Sequence, residues 1–119
     1  MKRILLVEDN EANRYLITFI LKKKGHTVIE ALDGLSGVEL AIRERPDLII
    51  MDIQLPDING LEATRRIRAS KANGDIPIIA LTSYAMTGDE EKALDAGCTG
   101  YIEKPINPET FMEQIEAFL

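Results

Sequence analysis

The sequence predicts an α/β fold, a doubly wound five-stranded parallel sheet of order 2-1-3-4-5 with helices on both faces. Three observations predict it. Leu48 to Met51 is an unbroken apolar run, Ile4 to Val7 a short aliphatic one and Ile76 to Leu81 (IPIIAL) another apolar stretch, as strands buried on both faces are, whereas a half-solvated strand would alternate. Segments with apolar residues at helical spacing separate them, joined by short turns marked by Gly, Pro, Asn and Asp. Strict alternation of strand and helix requires parallel strands and right-handed crossovers, and five strands fit the order 2-1-3-4-5, with its switch point between strands one and three.

The elements follow in order. Ile4 to Val7 is the first strand, and the acids and Asn residues of VEDNEAN (Val7 to Asn13) end it and start a helix. Tyr15, Leu16, Phe19 and Ile20 recur at helical spacing, and Lys22, Lys23 and Lys24 suit the negative end of the helix dipole before Gly25 stops it. His26 to Ala31 alternates weakly and predicts a second strand near an edge. Asp33-Gly34 then caps a helix with Val38, Ala41 and Ile42 as its buried stripe. The central strand runs from Leu48 into Asp52, and Pro56, Asp57, Asn59 and Gly60 end it. Leu61, Thr64 and Ile67 mark the third helix, whose other face carries Arg65, Arg66 and Arg68 toward solvent. Ile76 to Leu81 runs into Thr82 and Ser83, and a fourth helix lies within Gly88 to Ala96. Gly100 to Glu103 is the last strand, closed by Lys104-Pro105. Asn107-Pro108-Glu109 supplies an N-cap, a first-turn proline and an acid for a helix running to Leu119, with Phe111, Ile115 and Phe118 inward.

Composition bounds the function. The 119 residues suit one domain, 1–119, without repeats or linkers. A net charge of -6 argues against direct binding of nucleic acid or an anionic membrane and leaves proteins and cations as partners. One cysteine, Cys98, and one histidine, His26, exclude an internal disulfide and a zinc site of several soft ligands; Cys98 reads as a small buried hydrophobe. Without a signal-like or membrane-length apolar segment, the chain is expected to be cytoplasmic.

An isolated acid such as Asp52 at a strand end is most often a cap for the next helix. Here it has company. Glu8 and Asp9 follow strand one, Thr82 and Ser83 strand four, and Lys104 strand five, all at the carboxyl ends where doubly wound sheets bind ligands. Three acids in one crevice repel one another, and an oxygen-only set suits a hard cation, Mg²⁺ foremost. A carboxylate nucleophile beside Mg²⁺, with Lys104 and Thr82 for the equatorial oxygens, is a kit for moving a phosphoryl group onto Asp52.

The motifs VEDNEAN, MDIQLPDINGLE, IIALTSYA and GYIEKPIN together resemble, over the whole chain, the receiver domain of two-component response regulators, closest in pattern to DivK-like single-domain regulators and to the receivers of hybrid histidine kinases. The resemblance implies a flavodoxin-like (βα)5 fold of the CheY type and a bacterial signalling role. It implies Asp52 as phosphoacceptor and Mg²⁺ held by Asp9, Asp52 and the backbone carbonyl of Gln54, with Glu8 acting mainly through water. By the same resemblance Thr82 and Lys104 bind the phosphoryl oxygens, Thr82 and Tyr101 form the switch, Gln54 and Tyr84 tune the lifetime of the phosphorylated state, and the bond before Pro105 is cis. The implied donor is a histidine kinase or histidine phosphotransfer protein. The reader of the signal would be a protein docking on helix four, strand five and helix five of a monomer, with phosphorylation-dependent dimerisation as the alternative. Such a domain is not an enzyme on other substrates. The rival reading is a Mg²⁺-dependent phosphohydrolase working through an aspartyl phosphate, but that class carries Asp-x-Asp after one strand, and this chain has no room for a substrate-selecting cap. A flavodoxin is disfavoured by Glu8-Asp9, which would repel the phosphate of its flavin.

Overall fold

The computed structural model describes residues 2–70, 74–83 and 89–119. Five strands, β1 (Arg3–Val7), β2 (Thr27–Ala31), β3 (Leu48–Asp52), β4 (Ile78–Thr82) and β5 (Gly100–Glu103), alternate with helices α1 (Glu11–Lys23), α2 (Gly34–Glu44), α3 (Gly60–Ala69), α4 (Asp89–Ala96) and α5 (Phe111–Glu116). All four strand pairings are parallel and the order is β2-β1-β3-β4-β5, as the sequence predicts.

The doubly buried strands divide their side chains with a period of two. Ile4, Leu6, Leu48, Ile50, Ile79 and Leu81 join Ile17, Leu21, Phe111 and Ile115 in one core layer, beneath α1 and α5. Leu5, Val7, Ile49, Met51, Ile78 and Ala80 face the other way, onto Ala41, Ala63, Ile67 and Ala93 of α2, α3 and α4. Each such aliphatic side chain contributes about 1.5–3 kcal/mol on leaving water. β3 and β4 are buried along their whole length and β1 from Ile4 onward, whereas β2, at the sheet edge, exposes Thr27 and Glu30.

Helix ends are set by local chemistry. Asn10, Asp33 and Asn59 cap α1, α2 and α3 through Asn13 N, Ser36 N and Glu62 N. Gly25 ends the first helix with φ of 89°, a conformation a Cβ would strain.

Several expectations need correction. Of the predicted α1 stripe, Tyr15 and Phe19 are 75% and 56% exposed, and the buried face is Ile17, Ile20 and Leu21 with Leu16 beside it. The sheet meets α1 one position further round than the aromatic spacing suggests. In α2, Ile42 is exposed, and Gly34, Gly37 and Ala41 make the close face, since any Cβ at Gly37 would meet Val7 Cγ2 at 2.8 Å. Arg68 is half-buried rather than free in solvent: its guanidinium donates to the carbonyls of Gly97 (2.8 Å) and Gly74 (3.2 Å), tying α3 to the end of α4. Arg65 and Arg66 do stay outside, paired with Glu62. α5 begins three residues late: Asn107 Oδ1 accepts from Glu109 N at 3.0 Å, but this closes only a turn, and regular helix starts at Phe111 and stops at Glu116.

Candidate functional site

β1 ends in Val7, yet Glu8 remains pinned to the sheet because its amide donates to the Ala31 carbonyl at 3.0 Å. Its side chain is therefore delivered inward, fully buried, while Asp9 turns out to the exposed rim. Arg14, one turn into α1, braces this corner by donating to the carbonyls of Glu8 (3.1 Å) and Asp9 (3.3 Å). β3 presents Asp52, 2% exposed, at its last position. β4 ends in Thr82, 3% exposed, and β5 leads to Lys104, whose amide donates to the Thr82 carbonyl at 2.7 Å. The Lys104–Pro105 bond is cis, as the resemblance implies.

The side chains converge. Lys104 Nζ lies 2.8 Å from Glu8 Oε1 and 3.3 Å from Asp52 Oδ2, and the Gln54 amide donates to Asp52 Oδ1 at 3.2 Å. Glu8, Asp9 and Asp52 each bring a carboxylate oxygen to within 4.8 Å of the others. One ammonium against two buried acids leaves excess negative charge. Burial, then the hydrogen bond and the charge of Glu8, push the Asp52 carboxyl up to about 7. Burial opposes the ionisation of Glu8 too, but its hydrogen bonds with Asp52 and Lys104 and the ammonium's charge outweigh it and lower its pKa. The same two acids hold Lys104 above its ordinary value against the opposing effect of burial.

This donor set fits a hard cation. Glu8 Oε2 is buried without a hydrogen-bond partner, a costly state that a bound water or metal would relieve. The oxygens come from three carboxylates, with no sulfur or imidazole among them.

Glu8, Asp9, Asp52, Thr82 and Lys104 thus stand at the carboxyl edge, with Gln54 exposed in the loop after β3. Tyr101 lies on β5, half-buried against the core layer of α2, α3 and α4. Tyr84 lies outside the described residues. Sequence reasoning missed Arg14 and Asp57. The carboxylate of Asp57 accepts from Gly34 N at 2.7 Å and Leu35 N at 2.8 Å, tying the loop after β3 to the start of α2. No spacing rule links residues 22 and 23 positions apart, so only the fold reveals that tie. A separate groove between α1 and α5, lined by Phe19, Lys23 and Met112 among others, lies away from the acids and takes no part in this chemistry.

Comparison with known proteins agrees with this geometry. Residues 4–116 match the response regulator receiver domain family. The polar-differentiation response regulator DivK of Brucella anthropi is 43% identical over 118 residues, covering 99% of this chain and 96% of that protein. The receiver domain of a Pseudomonas aeruginosa sensor histidine kinase, solved with a magnesium ion in its active-site cleft, is 40% identical with a TM-score of 0.91, covering 98% and 96% of the two chains. Vibrio cholerae chemotaxis protein CheY4 superposes with a TM-score of 0.94 at 29% identity, over 100% of this chain and 99% of the other. No helix among the described residues is long and apolar enough to cross a membrane. The chain belongs to the response regulator receiver domains, the phosphoryl-accepting modules of two-component signalling.

Proposed function

We propose that this receiver works in the cytoplasm and takes a phosphoryl group onto Asp52 from a phosphohistidine of a histidine kinase or phosphotransfer protein. The observation that carries the assignment is the convergence of Lys104 on Asp52 and Glu8 at the carboxyl ends of β1, β3 and β5. Asp52 is the buried acid with an amide and an ammonium already on its oxygens, whereas Asp9 is open to solvent. An Asp52 oxygen forms the bond to phosphorus as the bond to the imidazole nitrogen of the donor breaks, and the imidazole leaves with a proton. Lys104, freed from part of its contact with Asp52, and the Thr82 hydroxyl receive the equatorial oxygens.

Mg²⁺ would be held by Asp9, Asp52 and the Gln54 carbonyl, with Glu8 acting through water, and would supply neutralisation of charge on the transferring group. Gln54 borders the site and, with Tyr84, tunes how long the phosphoryl group survives. The domain promotes only its own phosphorylation and dephosphorylation, and its downstream partner is a protein.

Mass spectrometry after treatment with a small acyl phosphate tests this. One phosphoryl group per chain is expected, requiring Mg²⁺ and absent from Asp52→Asn. Continued turnover of a phosphomonoester would instead support the phosphohydrolase reading.

A further inference from the structure

The loop from Ile53 to Asn59 leaves Asp52 and returns to α3, and it is tied at both base and tip. At the base, Ile53 N donates to Leu81 O at 3.0 Å and Gly60 N to Ile53 O at 2.8 Å, so the two ends of the loop close on each other. At the tip, the Asp57 carboxylate takes the amides of Gly34 and Leu35. These are first-turn donors of α2, which no carbonyl of that helix can satisfy. Ile58 seats on the same spot: a Cβ at Gly34 would meet Ile58 Cγ1 at 2.5 Å and its carbonyl oxygen at 2.8 Å.

A cap for α2 does not require Asp57. Asp33 already serves Ser36 N at 2.8 Å from the N-cap position. What Asp57 adds is a connection between elements, two charge-assisted bonds that fix the tip of the loop whose second residue is Gln54. Between base and tip only Gln54, Leu55 and Pro56 remain, too few to move independently of either anchor.

We propose that Asp57 is a positioning residue for the acid cluster: by latching the loop to the first turn of α2 it holds the Gln54 backbone in register with Asp52 and so sets the affinity for a divalent cation. This rests on the Mg²⁺ reading above. When the latch is cut, the loop spends part of its time elsewhere, and apparent affinity falls by the fraction of time the site is assembled.

The test is a Mg²⁺ titration followed by amide NMR shifts, with metal-free melting and amide exchange recorded for the same proteins. In Asp57→Asn the dissociation constant for Mg²⁺ should rise about threefold or more, with faster exchange at Gly34, Leu35 and Gln54 and a metal-free fold that persists on the Asp33 cap. Asp57→Glu, which keeps the charge, should fall between the two, and it carries the comparison alone if Asp57→Asn does not fold. A dissociation constant equal to the parent's would reduce Asp57 to a helix cap and overturn the latch. If the parent itself binds no Mg²⁺, the metal reading is what fails; unchanged exchange at Gln54 in Asp57→Asn would then sink the latch separately.

Discussion

The most informative residue is Asp52, because its environment is hostile to its charge. With its pKa raised to about 7 by burial and by Glu8, folded metal-free protein holds a proton that the unfolded chain releases near pH 4. That stabilisation is complete below the unfolded value and is lost as pH rises through the folded one. Metal-free protein should therefore be less stable at pH 8 than at pH 5, by about 2–3 kcal/mol at ~1.4 kcal/mol per unit, or about 10 °C in melting temperature. In Asp52→Asn the slope should flatten and the melting temperature at pH 8 should rise. Thermal melts in chelator check both, and an unaltered slope in the variant would show that another group titrates. The identity of the acids was legible in the sequence because they sit at strand ends, where a run of aliphatic residues stops. Arg14 and Asp57 were not, because the hydrogen bonds by which they brace the site run to backbone atoms, which leave no mark on sequence.

At the scale of elements, the strands were legible because an aliphatic run buried on both faces has few other solutions, and β5 came out with the predicted bounds. Helix faces were harder to read. Tyr15 and Phe19 look like core by type and spacing, yet the sheet selects Ile17 and Leu21, because packing against a neighbouring layer decides among competing stripes. The start of α5 was misplaced because Asn107-Pro108-Glu109 closes a turn as readily as a helix. Among the described glycines, Gly60 at the junction from β3 to α3 is the most tightly enclosed. A Cβ at Gly60 would run into the Asp52 carbonyl oxygen and come within 2.8 Å of Ile53 Cα, backbone atoms with nowhere to go. Gly60→Ala should cost about 3 kcal/mol, the upper end for overpacking, and should slow acyl phosphate labelling of whatever remains folded. Denaturant unfolding gives the first value; a loss below about 1 kcal/mol would mean that the junction relaxes more easily than its contacts imply.

Across the whole molecule, the question is how a charge added at Asp52 reaches a surface. Asp52 pairs with Leu81 in the register of β3 and β4, so Thr82 is one residue beyond the candidate phosphoacceptor. Thr82 has the parity of Ile78 and Ala80, and Tyr101, opposite Ala80 on β5, packs into the same core layer. The two switch candidates therefore share one face of adjacent strands. A phosphoryl group on Asp52 brings up to two negative charges and three acceptor oxygens. On the proposed mechanism, a hydroxyl drawn to one of them would leave room for the half-buried ring of Tyr101, and the ring's move would alter the face of α4, β5 and α5. Each end can bias the other only by its differential interaction with the two arrangements. If Thr82 is the coupler, Thr82→Ala should still label at Asp52 but lose the response at the far side. Amide shifts of β5 and α5 with and without beryllofluoride should move in the parent and stay close to the unmodified positions in Thr82→Ala. Loss of a single hydrogen bond to a charged group is worth about 1.5–3 kcal/mol, enough to shift such an equilibrium at least tenfold. If β5 and α5 respond fully in Thr82→Ala, the signal travels by another route, and the Lys104 amide on the Thr82 carbonyl is the next connection to cut.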